Sequence, residues 1–366
     1  MNFTRLFKSC LLAIAVPVLS ASANTSNNLY IYNWSEFISP NAVPDFEKKT
    51  GIDAVYDVYD SNEVLEAKLL SGHSGYDVVF PSHDFLAHQI KAGVYSPLDK
   101  SKLTNVKNID PQTMKLLDSV DPGNQYGIPY LAQTTGIGYN PEKVKQYLGK
   151  DAPVDSWALI FEPENMKKLS QCGVAFLDAP TEVLPSVLKY MGKDPNSQNA
   201  KDYKLAAEKL AKVAPYITYF HSSKYITDLA NGDICVALGW SGDMFMANER
   251  AHDAKNGVNI AYSIPKEGAA ISYDVMAIPA DASNKENAYR FINYMMEPKV
   301  IAGVTDYVYF ANPNKEATPL VDAKLRDNKG VYPPAEVEQN LFLFKPLPNK
   351  VKRTITREWT RLKTGA

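Results

Sequence analysis

The sequence predicts an α/β protein built as two lobes, and three observations carry that reading. Short β-prone runs alternate with helix signals along the first part of the chain, which argues a parallel sheet with helices on both faces. A long, extended, glycine-punctuated stretch at residues 126–139 breaks this rhythm, with no helix before its second half. A second alternating set follows, and a further extended run at 271–278 offers the way back. A strand that leaves one alternating set and enters another implies two lobes joined by crossovers.

Residues 1–23 stand apart from the fold. Arg5 and Lys8 form a positive start, residues 10–19 an apolar run, and Ala21-Ser22-Ala23 an A-x-A cleavage signal. The run is too short to span a membrane, and Cys10 precedes most of it, which argues against a lipid anchor. Cleavage after Ala23 and an exported, soluble mature protein are expected. Losing the two positive charges takes the formal charge of the 366-residue chain from −2 to −4. That balance leaves no footprint for nucleic acid or an acidic membrane surface. The remaining length suits two domains of ordinary size.

In order, Leu29-Tyr30-Ile31-Tyr32 is a buried strand by its apolar, β-prone character. Asn33-Trp34-Ser35-Glu36-Phe37 then forms a loop at its carboxyl end, where open α/β sheets bind ligands. Ser39-Pro40 reads as N-cap and first residue of a helix over 40–50, ended by Gly51. A strand over 52–59 follows. Ser61 caps a helix carrying Val64, Leu65 and Leu69 that stops at Gly72. A strand over 76–80 leads through Pro81-Ser82 into a helix over 85–92, ended by Gly93. After the crossover come helix 163–169, strand 174–177, helices 182–191 and 203–213, and strand 234–238. The chain closes on an amphipathic helix over 351–362 with a solvated basic face.

Catalytic signatures are missing. Gly72-His73-Ser74-Gly75 is too short for G-x-S-x-G, and Gly136-Ile137-Gly138 is followed by Tyr139-Asn140-Pro141 rather than a G-x-G-x-x-G continuation. There is no P-loop and no H-E-x-x-H. His83 and His88, five apart, do not share a helix face for a metal. No cofactor or metal is therefore expected. Cys172 and Cys235 lack C-x-x-C spacing for redox work. As an even pair in an oxidising compartment they favour a disulfide, with two buried thiols as the alternative. Closing that loop is worth roughly 4 kcal/mol in the chain-entropy model.

What recurs instead is an aromatic ring beside a carboxylate at strand ends: Trp34 with Glu36, Trp240 with Asp243, and Tyr273 with Asp274. Tyr309-Phe310 and the acid Glu182, at a helix start after Asp178-Ala179-Pro180, add to the set. Singly, each is packing or a cap. Together they sit where α/β lobes present their ligand face. A π-face next to a carboxylate suits an organic cation, because the face attracts positive charge and the carboxylate pairs with it.

With these residues in view, the chain resembles the periplasmic polyamine-binding proteins of ABC importers, most closely the putrescine-binding branch. The likeness covers essentially the whole mature chain. It is carried by Tyr32-Asn33-Trp34-Ser35, Tyr56-Asp57-Val58-Tyr59-Asp60-Ser61-Asn62-Glu63, Thr134-Thr135-Gly136-Ile137-Gly138-Tyr139-Asn140, Phe176-Leu177-Asp178-Ala179-Pro180, His221-Ser222-Ser223, the run from Asp228 to Ala237, and Tyr332-Pro333-Pro334. The resemblance implies a two-lobe periplasmic-binding-protein fold of type II, with a hinge of crossover strands and a ligand cleft between the lobes. One lobe would comprise 24–135 and 271–315, the other 136–270 and 316–366.

By position, the resemblance also implies roles. Trp34 and Trp240 would sandwich a methylene chain, Asp243 and Asp274 would bind one terminal ammonium, and Ser35, Ser82 and Glu182 would complete the site. The family's disulfide falls on Cys172 and Cys235. A monomer delivering its polyamine to an inner-membrane permease is implied. Departures concentrate on the pocket. Phe37 and Phe310 stand where tyrosine is common, Glu36 where the putrescine branch often has aspartate, Ser272 where a large ring is usual, and His83-Asp84 replace small residues.

A diamine needs carboxylates only at its ends, whereas a triamine needs a partner for its inner ammonium. The loss of a ring at Ser272 and of a hydroxyl at Phe310, with bulky Phe344 expected at the far end, favours putrescine first and spermidine second. On the same reasoning Ser272→Trp is expected to favour spermidine. Two other classes stand beside the importer receptor: a polyamine sensor of the same fold, which would keep the binding without the transport, and, more remotely, an exported glycoside hydrolase using paired acids, which would show turnover.

Overall fold

The computed structural model describes residues 27–364, so the expected signal segment and Cys10 lie outside the described residues. Its strands are β1 (Asn28–Trp34), β2 (Asp53–Tyr59), β3 (Val78–Val79), β4 (Gly127–Tyr139), β5 (Val174–Phe176), β6 (Tyr219–Phe220), β7 (Val236–Trp240), β8 (Ala261–Ser263), β9 (Ala270–Ala277) and β10 (Phe342–Leu343). They lie in the order β2-β1-β3-β9-β4-β7-β5-β6, with β10 beside β9 and β8 beside β4. β1 runs parallel to β2 and β3, and β5 runs parallel to β6 and β7. Between the two parallel sets stand β4 and β9, antiparallel to each other.

β4 joins the two halves. Residues 127–134 of it pair with β9, and residues 135–139 pair with β7. One strand thus serves both sheets, the crossover expected of 126–139, and β9 supplies the return strand. Its glycines let neighbours approach. A Cβ on Gly138 would sit 1.9 Å from the Met244 sulfur, so the helix Ser241–Ala254 packs on this strand only because that side chain is missing.

Most expected elements are present with shifted ends. Gly51 ends the first helix in a left-handed conformation, φ 72°, and the Ser61 hydroxyl accepts from the Val64 amide. The start of that first helix differs: it runs Ala42–Thr50, with Asn41 at the cap position, so Ser39-Pro40 form a turn ahead of it. The strand expected over 76–80 is reduced to Val78–Val79. The following helix begins at His83 because Ser82 occupies the cap position, though its hydroxyl is spent on Asp274. The helix expected from Glu182 starts two residues earlier, with Pro180 at the first position.

Helices Ser241–Ala254, Lys285–Met295 and Pro298–Val308 were not foreseen. Ser241-Gly242 reads locally as a turn. Burial of Met244, Met246, Ala247 and Ala251 against the sheet overrides that preference.

Each half has its own apolar interior. Phe46, Phe80, Tyr130 and Phe291 are fully buried on the β1 side, and Trp157, Phe161, Phe176 and Tyr203 on the β5 side. Cys172 and Cys235 are bonded, with Cα atoms 5.5 Å apart and a sequence separation of 63. The bridge ties the residues leading into β5 and β7, which are neighbours in the sheet. The final helix, Asn349–Thr364, buries Val351, Thr354, Ile355 and Trp359, leaves Arg353, Arg357, Arg361 and Lys363 exposed and half-buries Lys352. The Trp359 indole donates to Asp178 at 2.8 Å, fixing the helix to the loop after β5.

Candidate functional site

The carboxyl ends of β1, β3, β5 and β7 all point to the junction that β4 and β9 cross. There the two halves enclose a cavity of about 460 Å³, counting the part open to solvent. Its lining includes Trp34, Ser35, Phe37, Ser82, Glu182, Trp240, Asp243, Asp274 and Phe310, nine of the positions singled out from sequence.

The ring wall is continuous. Trp34 is held by its indole N–H, which donates to the Phe80 carbonyl at 2.8 Å. It leans on Tyr59, with ring centroids 4.7 Å apart, and Phe37 meets Phe310 edge to face at 5.0 Å. Trp34 and Trp240 meet at 5.7 Å with their planes 73° apart. That arrangement differs from the expected sandwich. Edge-to-face contact satisfies the ring quadrupoles, so the two indoles form adjoining walls rather than a slot.

Three carboxyls are buried in this wall. Asp274, on β9, has no exposed surface; it accepts from the Ser82 hydroxyl at 2.6 Å and from the Gln133 side-chain amide at 2.8 Å. Burial pushes its pKa up to about 7, with those two bonds pulling the other way. Asp243, in the first turn of Ser241–Ala254, accepts from the Tyr225 hydroxyl. Burial raises it to about 7 as well. Glu182 accepts from the Thr135 hydroxyl at 2.7 Å and is pushed up to about 8, first by burial and then by the Asp84 charge.

Asp274 and Asp84 act electrostatically on Glu182, and Asp84 acts on Asp274. Glu36 and Arg250 act on Asp243. All three acids line the one cavity.

Three expected positions fall off the cavity wall. Glu36 adopts a left-handed backbone, φ 57°, and its carboxylate pairs with Arg250 at 2.8 Å. Ser272 is buried behind His83, with its hydroxyl 3.5 Å from the His83 Nδ1. That nitrogen accepts from the Tyr273 amide, so Nε2 carries the proton and donates to the Phe344 carbonyl at 3.2 Å. Burial holds the His83 pKa below its usual range. His83 thus packs directly beside Ser272, and a larger side chain at 272 would have to be accommodated against it. Phe344 lies beyond His83, packed on Phe342, and lines a separate groove with Glu63, Asp84 and Phe85.

Sequence reasoning passed over Tyr59, Asp60, Gln133, Ser222, Ser223 and Ile226, which also line the cavity. Tyr59 ends β2 with Asp60 after it, and Ser222-Ser223 come just after β6, so the strand-end rule would have found them. Gln133 had a different signal, a polar side chain inside a long buried strand. Among the described residues no group of three His, Cys, Asp or Glu side chains is placed to hold a metal, and no helix is long and apolar enough to cross a membrane.

Residues 41–331 match the model of the bacterial extracellular solute-binding protein family. The chain is 56% identical over 361 residues to the putrescine-binding periplasmic protein PotF of Escherichia coli, covering 98% of this chain and 97% of that one. It is also 56% identical over 345 residues to the putrescine-binding periplasmic protein SpuD of Pseudomonas aeruginosa, covering 94% of each. Among solved structures, a putative spermidine/putrescine ABC transporter protein from Listeria monocytogenes superposes with a TM-score of 0.83 at 30% identity, covering 93% of this chain and all of that one.

Proposed function

Because this chain belongs to the bacterial extracellular solute-binding protein family, we propose that it is the periplasmic receptor of a polyamine importer, binding putrescine or a related diamine between its lobes. One observation carries the reading: three buried carboxyls set in one cavity wall of aromatic rings. A short dication with a methylene middle suits that combination of acids and rings. Its ammonium groups would supply the counter-charge that burial otherwise denies these acids, and its carbons would lie on the rings. Each cation–π contact contributes roughly 0.5–2 kcal/mol, according to desolvation.

A triamine would have to bury an inner ammonium as well, at a desolvation cost. Putrescine is therefore placed ahead of spermidine. The names of the relatives support the ligand class. The lobes we assign are 24–135 with 271–315, and 136–270 with 316–366. In support, β4 changes partner between Thr134 and Thr135, and the last helix packs on helices Pro180–Tyr190 and Ala200–Ala211. In this reading the acids are counter-charges rather than a catalytic pair, and the protein works as an exported monomer that delivers its ligand to a membrane permease.

The test is calorimetry on protein unfolded, stripped of ligand and refolded, titrated with putrescine, cadaverine, agmatine, spermidine and spermine. One-to-one binding, tightest for putrescine, is expected. Spermidine binding tenfold tighter than putrescine would overturn the diamine preference, and no binding of any polyamine would overturn the function.

A further inference from the structure

Three residues lining the cavity carry a buried polar atom without a hydrogen-bond partner among the described residues: Trp240 at its indole nitrogen, Ser222 at its hydroxyl and Gln133 at its amide oxygen. They are not equivalent toward an ammonium, which can only donate. The Trp240 atom is itself a donor only, and the Ser222 hydroxyl can turn either way. The Gln133 Oε1 can only accept.

The orientation of that amide follows from its neighbour. Gln133 Nε2 lies 2.8 Å from the Asp274 Oδ2. Held ionised by a bound ammonium, that carboxylate accepts only, so the amide turns its N–H₂ to Asp274 and its oxygen away. The side chain is 8% exposed, so an unmet acceptor there is costly.

Its place on β4 makes the arrangement rigid. Gln133 and Thr135 are two residues apart on one strand and so project from the same face. Gln133 bonds Asp274 on β9, and Thr135 bonds Glu182 at the start of Pro180–Tyr190. Gln133 also faces Ser272 in the β4–β9 ladder, which fixes its backbone.

We propose that Gln133 is a specificity residue that reads the number of N–H groups on the ligand nitrogen held at Asp274. This rests on the diamine reading above. A primary ammonium has three N–H donors and satisfies both the Asp274 carboxylate and the Gln133 Oε1. A tertiary ammonium carries the same charge but one N–H, so it satisfies one of the two and leaves the other buried and unmet. The site then takes amines with unsubstituted ends and rejects N-alkylated ones at equal charge.

The experiment compares putrescine with N,N,N′,N′-tetramethylputrescine, by calorimetry, on the wild-type protein and on Gln133→Leu. The wild type is expected to prefer putrescine. Gln133→Leu should weaken putrescine roughly tenfold to a hundredfold, the effect of one hydrogen bond to a charged group, and shrink the preference by at least tenfold. Gln133→Met, close in length and without the amide, repeats the comparison should the leucine variant not fold. A folded variant that loses putrescine affinity but keeps the wild-type preference within threefold would overturn the proposal, leaving Gln133 as a support for Asp274 alone. A wild-type protein that binds putrescine without preferring it would overturn the proposal and leave the diamine reading standing. A wild-type protein that binds no diamine would overturn both.

Discussion

In the proposed reading Asp274 and Asp243 would partner ammonium groups only when ionised, and burial works against that state in the free protein. Asp274→Asn or Asp243→Asn should weaken putrescine by roughly 3–5 kcal/mol, the cost of breaking a buried ion pair by removing one partner. Titration calorimetry reads this directly, and affinities within twofold of wild type for both variants would refute the assignment. A proton linkage follows from the same pair and Glu182. Their carboxyls titrate at about 7, 7 and 8 in the free protein, while a bound ammonium keeps them ionised. Binding near pH 7 should therefore release protons, and affinity should rise from pH 6 to about 8, while the ligand amines, with ordinary values near 10.4 as for lysine, stay charged. Matched titrations in two buffers of different ionisation enthalpy measure the release; none at pH 7 would contradict the raised values.

At the scale of elements, the helix Ser241–Ala254 brings Asp243 to the cavity through one missing side chain. A Cβ at Gly242 would lie 2.6 Å from the Val308 carbonyl and 2.7 Å from the Phe310 ring. The carbonyl is backbone and cannot swing aside, so the helix start must move. Gly242→Ala should cost about 1–3 kcal/mol by overpacking and also weaken the ligand, since Asp243 and Phe310 both shift. Denaturant melts paired with calorimetry test this, and a variant with wild-type stability and affinity would show that the contact relaxes freely. β4 is the other element on which the site depends. Its front face orients one acid on β9 and another on the helix after β5, through Gln133 and Thr135.

For the whole molecule, the same three acids set a pH dependence of stability. Their pKa values are higher folded than unfolded, so the stability they contribute is complete below about pH 4 and is lost as pH rises through about 7 to 8. Ligand-free protein should melt lower at pH 8.5 than at pH 6.5, by on the order of 1–3 kcal/mol in stability. His83 is held below its usual range, so its contribution is lost only at more acidic pH. Saturating putrescine should raise the melting temperature more at pH 8.5 than at pH 6.5, because it binds the ionised acids. Scanning calorimetry at the two pH values, with and without ligand, decides it; a stripped protein that gains stability on going to pH 8.5 would refute it. Contacts between the halves also cross the cavity mouth, where Glu36 on the loop after β1 pairs with Arg250 on Ser241–Ala254. Closure by ligand would draw on such contacts only as far as they differ between open and closed states.

Much of this was legible along the chain. The β-α rhythm, the glycine-punctuated crossover and the ring-with-acid pairs at strand ends are local patterns, and they located β1, β4, β9 and most of the cavity wall, with Ser82 added by the family resemblance. Gly51, Ser61 and the cysteine pair were legible for the same reason, since caps and disulfide compartments are written in residue type. The tertiary structure decided which way each side chain faces once two lobes meet. Glu36 turns to Arg250, His83 packs beside Ser272, and Phe344 falls behind it, because each is settled by a partner more than a hundred residues away. It also decided that Asp274, Asp243 and Glu182 come together in one cavity, and that Gln133, a polar residue in a buried strand, turns its oxygen away from Asp274 in the cavity wall. Packing and electrostatics across the junction fix those choices, and neither is written in local order along the chain.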